Sequence, residues 1–154
     1  MANNDIPQKG VIPPPKCKAI LLCERTIIDA GTGKVSLIDL FNGFLIPEVP
    51  GHTCPFMVFL LLTEGVADHN YQITVEIHDL SDDKIVARAT GEDVKWGDRL
   101  AQVNLFIPVP PLPIKHPGLY DFVVFANNQE IDRQKFGVNN PPNQEIKGED
   151  ENHE

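Results

Sequence analysis

The chain is poor in the residues that usually carry catalysis. Its 154 positions include two serines, Ser36 and Ser81, three cysteines and one tryptophan. Neither serine sits in a Gly-x-Ser-x-Gly elbow, which excludes acyl transfer through that device. Ser36 lies between Val35 and Leu37 in a strand-like run. Ser81 follows His78 and Asp79, but a triad is defined by convergent geometry, not adjacency. Its plain reading is a turn with Asp82 and Asp83 as caps. Three cysteines cannot all pair within one chain, which favours free thiols and a reducing compartment.

Positive charge is scarce too. Thirteen Lys and Arg stand against 22 Asp and Glu, a formal net charge of −9, and the basic residues form no stripe. Such a surface repels a phosphate backbone, so nucleic acid is not an expected partner. The longest apolar run, Phe56 to Leu62, is far shorter than the ~20 residues that cross a bilayer, so no membrane partner is expected. Met1-Ala2-Asn3-Asn4-Asp5 has neither the basic nor the apolar region of a secretory signal, and the expected location is cytoplasmic.

What the chain does have is fourteen prolines and a repeated alternation of apolar and polar residues. That much proline does not suit a helical bundle. Residues 1–16 read as a flexible Pro-rich leader ending in Pro13-Pro14-Pro15-Lys16, and 138–154 as an acidic disordered tail. Residues 17–137 read as one folded domain, since a chain of this size buries about 70% of its unfolded surface without staples.

Eight strands are expected. The first, about 17–28, puts Cys17, Ala19, Leu21 and Cys23 on one face. Asp29-Ala30-Gly31-Thr32-Gly33 is a turn, and a second strand runs from Lys34 to about Ile46. The continuous run Phe56–Leu62 predicts a central strand covered on both faces. Tyr71, Ile73, Val75 and Ile77 alternate with polar residues, so that side should face the core. A short strand over 84–90 follows, then a loop from Gly91 to Asp98, then a sixth strand near 101–107. Pro108, Pro110, Pro111, Pro113 and Pro117 argue against ladder pairing and suggest a connection that changes sheets. A terminal hairpin, 119–126 and 130–136, turns at Asn127-Asn128. Gly118-Leu119-Tyr120 resembles a tyrosine corner, in which the phenol bonds to an upstream backbone group. The sum is all-β: a two-sheet antiparallel sandwich, immunoglobulin-like, with flexible termini.

Several of these segments carry a family resemblance. An apolar strand ends in Cys23-Glu24, and Ile28-Asp29 leads into the Gly turn. Lys34-Val35-Ser36-Leu37-Ile38 follows, with Phe41, Pro47 and, much later, Gly118-Leu119-Tyr120-Asp121-Phe122. The pattern resembles a family of small uncharacterised bacterial proteins, catalogued only as a domain of unknown function, over about 17–137. The resemblance implies a compact β-sandwich. It implies no activity and supplies no functional residues.

Other chemistry is thinly signalled. Cys17 and Cys23 lie roughly 20 Å apart on a strand, too far to share a metal. Cys54 with His52 and a distant cysteine would make a zinc site, but buried structural thiols are the default. Gly31-Thr32-Gly33-Lys34 is no phosphate loop, because Ile28 and Val35 stand where Gly and Ser or Thr are required. Asp79, Asp82 and Asp83, with Glu92, Asp93 and Asp98, would bind calcium only if their loops met; solvated turns are the plainer reading. Trp96 is either a surface anchor or part of the core. Pro110, Pro111 and Pro113 belong to overlapping Pro-x-x-Pro spacings that can dock in aromatic grooves.

The expected function is a non-catalytic interaction module that binds a protein partner or itself, with Trp96, Pro110, Pro111 and Pro113 as candidate contacts and no cofactor. The alternative is a carbohydrate or small-ligand module, calcium-assisted, using Trp96 and the acidic loops. An enzyme of unrecognised type using His78, Ser81 or Cys54 is the third reading.

Overall fold

Alternation by twos becomes a strand wherever one side can be buried, and this chain offers that choice many times. The computed structural model describes residues 12–141. They are all-β, with no helix among the described residues. Residues 1–11 and 142–154, which hold most of the expected leader and tail, lie outside the described residues.

The strands are β1 (Lys16–Ile28), β2 (Val35–Phe41), β3 (Gly43–Leu45), β4 (Gly51–His52), β5 (Phe56–Thr63) and β6 (Asn70–Asp79). They continue with β7 (Lys84–Lys95), β8 (Val103–Val109), β9 (Pro113–Ile114), β10 (Gly118–Ala126) and β11 (Gln129–Asn139). One sheet has the order β2-β1-β5-β8, a second β3-β11-β10-β6-β7, and β4 pairs with β9 in a small ladder. The two large sheets contribute to one core, which takes Leu22, Val58, Leu60 and Ile107 from the first and Ile73, Val75, Phe122 and Val138 from the second.

Local chemistry explains the turns. Between β1 and β2, Oδ1 of Asp29 accepts from the amides of Gly31 and Thr32 at 2.9 and 2.8 Å, and Gly33 takes φ +68°. Asn127 and Asn128, at φ 48° and 66°, make the primed turn of the β10–β11 hairpin. The predicted core side of β6 is buried throughout: Tyr71, Ile73, Val75 and Ile77. Tyr120 forms the expected corner, its hydroxyl donating to the carbonyl of His116 at 2.8 Å.

Four expectations need correction. The second expected strand divides. At Asn42 the chain leaves the first sheet and β3 pairs with β11, in parallel rather than antiparallel. The predicted loop from Gly91 belongs largely to β7, because Gly91 sits in a bulge: the register with β6 shifts between Gln72 and Thr74, and pairing resumes to Lys95. The Pro-rich connection does change sheets, yet it pairs on the way. Pro108 lies in β8, an edge strand with room for a residue lacking an N–H, and Pro113 pairs with His52. Finally, β5 is central, but its second face is covered only in part. Phe56, Val58, Leu60 and Leu62 are buried on one side; on the other Phe59 and Thr63 are buried as well, whereas Met57 and Leu61 are half-exposed.

Candidate functional site

The outer side of β5, where Met57 and Leu61 are half-exposed and Phe59 is buried, belongs to an apolar sheet face. Cross-strand partners share a face, so the register places Leu21, Phe59 and Phe106 in one row across β1, β5 and β8. The next row is Leu40, Cys23, Met57 and Pro108. Leu21 is 38% exposed and Leu40 57%. The Phe59 and Phe106 rings pack at 5.5 Å. Arg25, opposite Ile38 at one end, is the charged side chain on this face between Ala19 and Arg25. The alternation of the first strand by itself places Ala19, Leu21 and Cys23 together. Their meeting with Phe59 and Phe106 was hidden because Phe106 reads as part of a polar alternation.

The candidate contacts lie elsewhere. Trp96 is fully buried, its ring edge-to-face with Tyr71 at 5.9 Å. It belongs to the core and offers no platform at the surface. Its Nε1 has no hydrogen-bond partner among the described residues. Pro110, Pro111 and Pro113 are exposed, along the connection between β8 and β10.

A second group is brought together by the fold. Ser81, in the turn after β6, meets Asp79 at the end of that strand and His116 just before β10. Ser81 Oγ donates to Asp79 Oδ1 at 2.8 Å, and its amide bonds the same oxygen at 2.9 Å. His116 Nε2 lies 2.6 Å from Asp79 Oδ2 and 3.2 Å from Ser81 Oγ. His116 Nδ1 lies 2.8 Å from the carbonyl of Pro117, which can only accept, so this nitrogen carries a proton. Burial of Asp79 opposes its ionisation, but the bonds from Ser81 and His116 outweigh it and hold its pKa below the ordinary value. The bond to Pro117 and then the bond to Asp79 raise the pKa of His116. The cluster is therefore a clasp in which the Asp79 carboxylate favours the protonated form of His116. In a triad the acid and the serine occupy different nitrogens of the imidazole. Here both face Nε2, and the serine proton points at the acid. Sequence reading named Ser81 and Asp79 but paired them with His78. His78 instead lies 3.3 Å from Glu76, which Arg88 also holds at 2.6 Å. His116, 35 positions from Ser81, gave no local signal.

The thiols differ in environment. Cys23 is buried and Cys54 exposed. Burial, then the charge of Asp132, pushes the Cys17 thiol up to about 12. Among the described residues, no three His, Cys, Asp or Glu side chains gather into a metal-binding group.

Residues 18–139 match the model of a family described as a family of unknown function, DUF6941. The chain belongs to that family. No curated protein matches it. Among solved structures, this DUF6941 chain is similar to a Pseudomonas fluorescens alkylpurine DNA glycosylase, AlkC, bound to DNA containing an abasic site analog. That match has 10% identity and a TM-score of 0.47, and covers 78% of this chain and 30% of the glycosylase chain. DNA contact belongs to that protein. In the DUF6941 chain the match with the family begins just inside β1 and ends with β11, so every strand described above lies within or at the border of the family's span.

Proposed function

We propose that this chain is a non-catalytic interaction module, an immunoglobulin-like sandwich with one curled sheet, whose partner is a second copy of itself. The observation that carries this is the apolar outer face of the β2-β1-β5-β8 sheet. The largest apolar patch on a protein, typically about 300–600 Å², is often functional. Four strands about 4.8 Å apart, over some eight residues of ~3.3 Å rise, give a rectangle of roughly 500 Å², within which Cys23 and Phe59 are already buried. Two such faces together bury at most about 1,000 Å², the lower end of what a specific association needs.

Charge favours a like partner on this face. The protein carries −9 overall, yet no acid stands in the rows centred on Phe59. A two-fold axis lying across the strands at Phe59 stacks the apolar rows and sends the two Arg25 side chains to opposite ends. The clasp at Asp79 supports the non-catalytic half of the proposal, since both imidazole nitrogens of His116 and the Ser81 proton are already engaged. The small-ligand alternative loses the platform assigned to Trp96, which is buried.

Light scattering over a concentration series tests the idea. The expected result is a monomer–dimer equilibrium that Leu21→Lys and Phe106→Lys each shift to monomer, with melting of the monomer little changed by Leu21→Lys because that side chain points outward. A protein that stays monomeric at millimolar concentration overturns it, as does a dimer indifferent to both substitutions.

A further inference from the structure

We propose that the groove where β2 and β3 part, at the open end of the core, binds a small organic ammonium compound with an aromatic or alkyl body. The groove encloses about 400 Å³, within the range of small-molecule sites. Its floor is aromatic. Phe41 and Phe44 pack edge-on at 4.9 Å, and Phe44 and Phe56 at 5.0 Å. Phe56 is buried, while Phe41 and Phe44 are only half-buried and keep ring surface towards the opening. Leu45, 71% exposed, stands on the rim.

The charge along this groove is of one sign. Glu24 on β1 and Asp39 on β2 both line it. They lie between the register pairs Cys23–Leu40 and Arg25–Ile38, where the ladder pairing lapses and Asp39 takes φ 55°. Two buried acids on the second sheet have cations: Glu76 has Arg88 at 2.6 Å, and Asp121 has Arg133 at 3.3 Å. Neither Glu24 nor Asp39 is in an ion pair among the described residues. An ammonium group beside them supplies the missing counter-charge, and the electron-rich ring faces attract the same charge. The apolar body of the ligand then replaces water over Phe41 and Phe44. An anionic or neutral ligand gains the apolar contact but not the charge term, so the site should select by charge. Phe41 and Phe56 lie on the opposite side of the first sheet from the face centred on Phe59, and of that face's rows Leu40 also lines the groove.

Cys54 supplies a reporter. It lines the groove and is exposed, whereas Cys23 is buried and the thiol of Cys17 stays protonated near neutral pH. The experiment measures the rate at which N-ethylmaleimide labels Cys54, with amide NMR shifts of residues 24, 39, 41 and 44 read in parallel. The probes are 2-phenylethylammonium, 2-phenylethanol and phenylacetate. The expected result is an about fivefold slowing by the ammonium probe relative to the alcohol, with amide shifts confined to the groove. Phenylacetate should protect least. In the Glu24→Gln/Asp39→Asn double variant, the preference for ammonium over alcohol should vanish while the protein stays folded, since both side chains are exposed. Equal protection by all three probes, protection by none, or a charge preference that survives the double variant overturns the proposal.

Discussion

A Cβ atom placed on Gly65 would lie 2.0 Å from Cδ2 of Trp96. The indole thus covers the backbone just after β5, and no side chain fits between them. Contact this close explains how a tryptophan in a stretch read as loop becomes fully buried.

Gly65→Ala is therefore expected to destabilise the protein by about 1–3 kcal/mol or more, because the buried ring must move off its neighbours. Gly97→Ala is the matched control, with nothing within 4 Å of its added carbon. Urea denaturation of the two variants checks the contrast. Equal midpoints would show that the indole yields freely.

Stability should depend on pH through the clasp of Asp79 and His116. The folded pKa of His116 is raised, so its contribution is complete below its unfolded value of ~6.5 and is lost as pH rises through the folded value. The folded pKa of Asp79 is lowered, so its contribution is present above the unfolded value of ~3.9 and is lost as pH falls through the folded one. Between these limits the clasp contributes fully. In His116→Gln the deficit relative to the parent should be largest near pH 5.5 and shrink towards pH 9, as read from denaturation midpoints. A deficit independent of pH would assign His116 a packing role only.

Tyr120→Phe removes the bond to the carbonyl of His116 while leaving the ring stacked on Phe136 at 5.4 Å. The expected loss is ~1 kcal/mol, the net worth of one such hydrogen bond. Because His116 is held by this bond from behind, its side-chain titration, followed by NMR, should also move towards the value of a free histidine.

Much of this was legible along the chain. Asn127-Asn128 announced its turn because asparagine tolerates positive φ, and Tyr120 its corner because the acceptor is four residues upstream. Gly91 misled: a glycine that reads as the start of a loop is here the bulge that lets β7 continue. The run Phe56–Leu62 correctly indicated a central strand, but an apolar side chain has the same sequence whether it faces a core or a surface.

Composition and a two-residue period were enough to establish a β protein, the buried side of β6 and the tight turns, since these depend on neighbours a few positions away. Folding alone chose the sheet that β3 joins, brought Ser81 to His116, set Glu24 and Asp39 along one groove and left Leu21 and Leu40 exposed beside Phe59. Those outcomes rest on pairings between distant segments, whose energies come from packing and register and leave no mark on any short stretch of sequence.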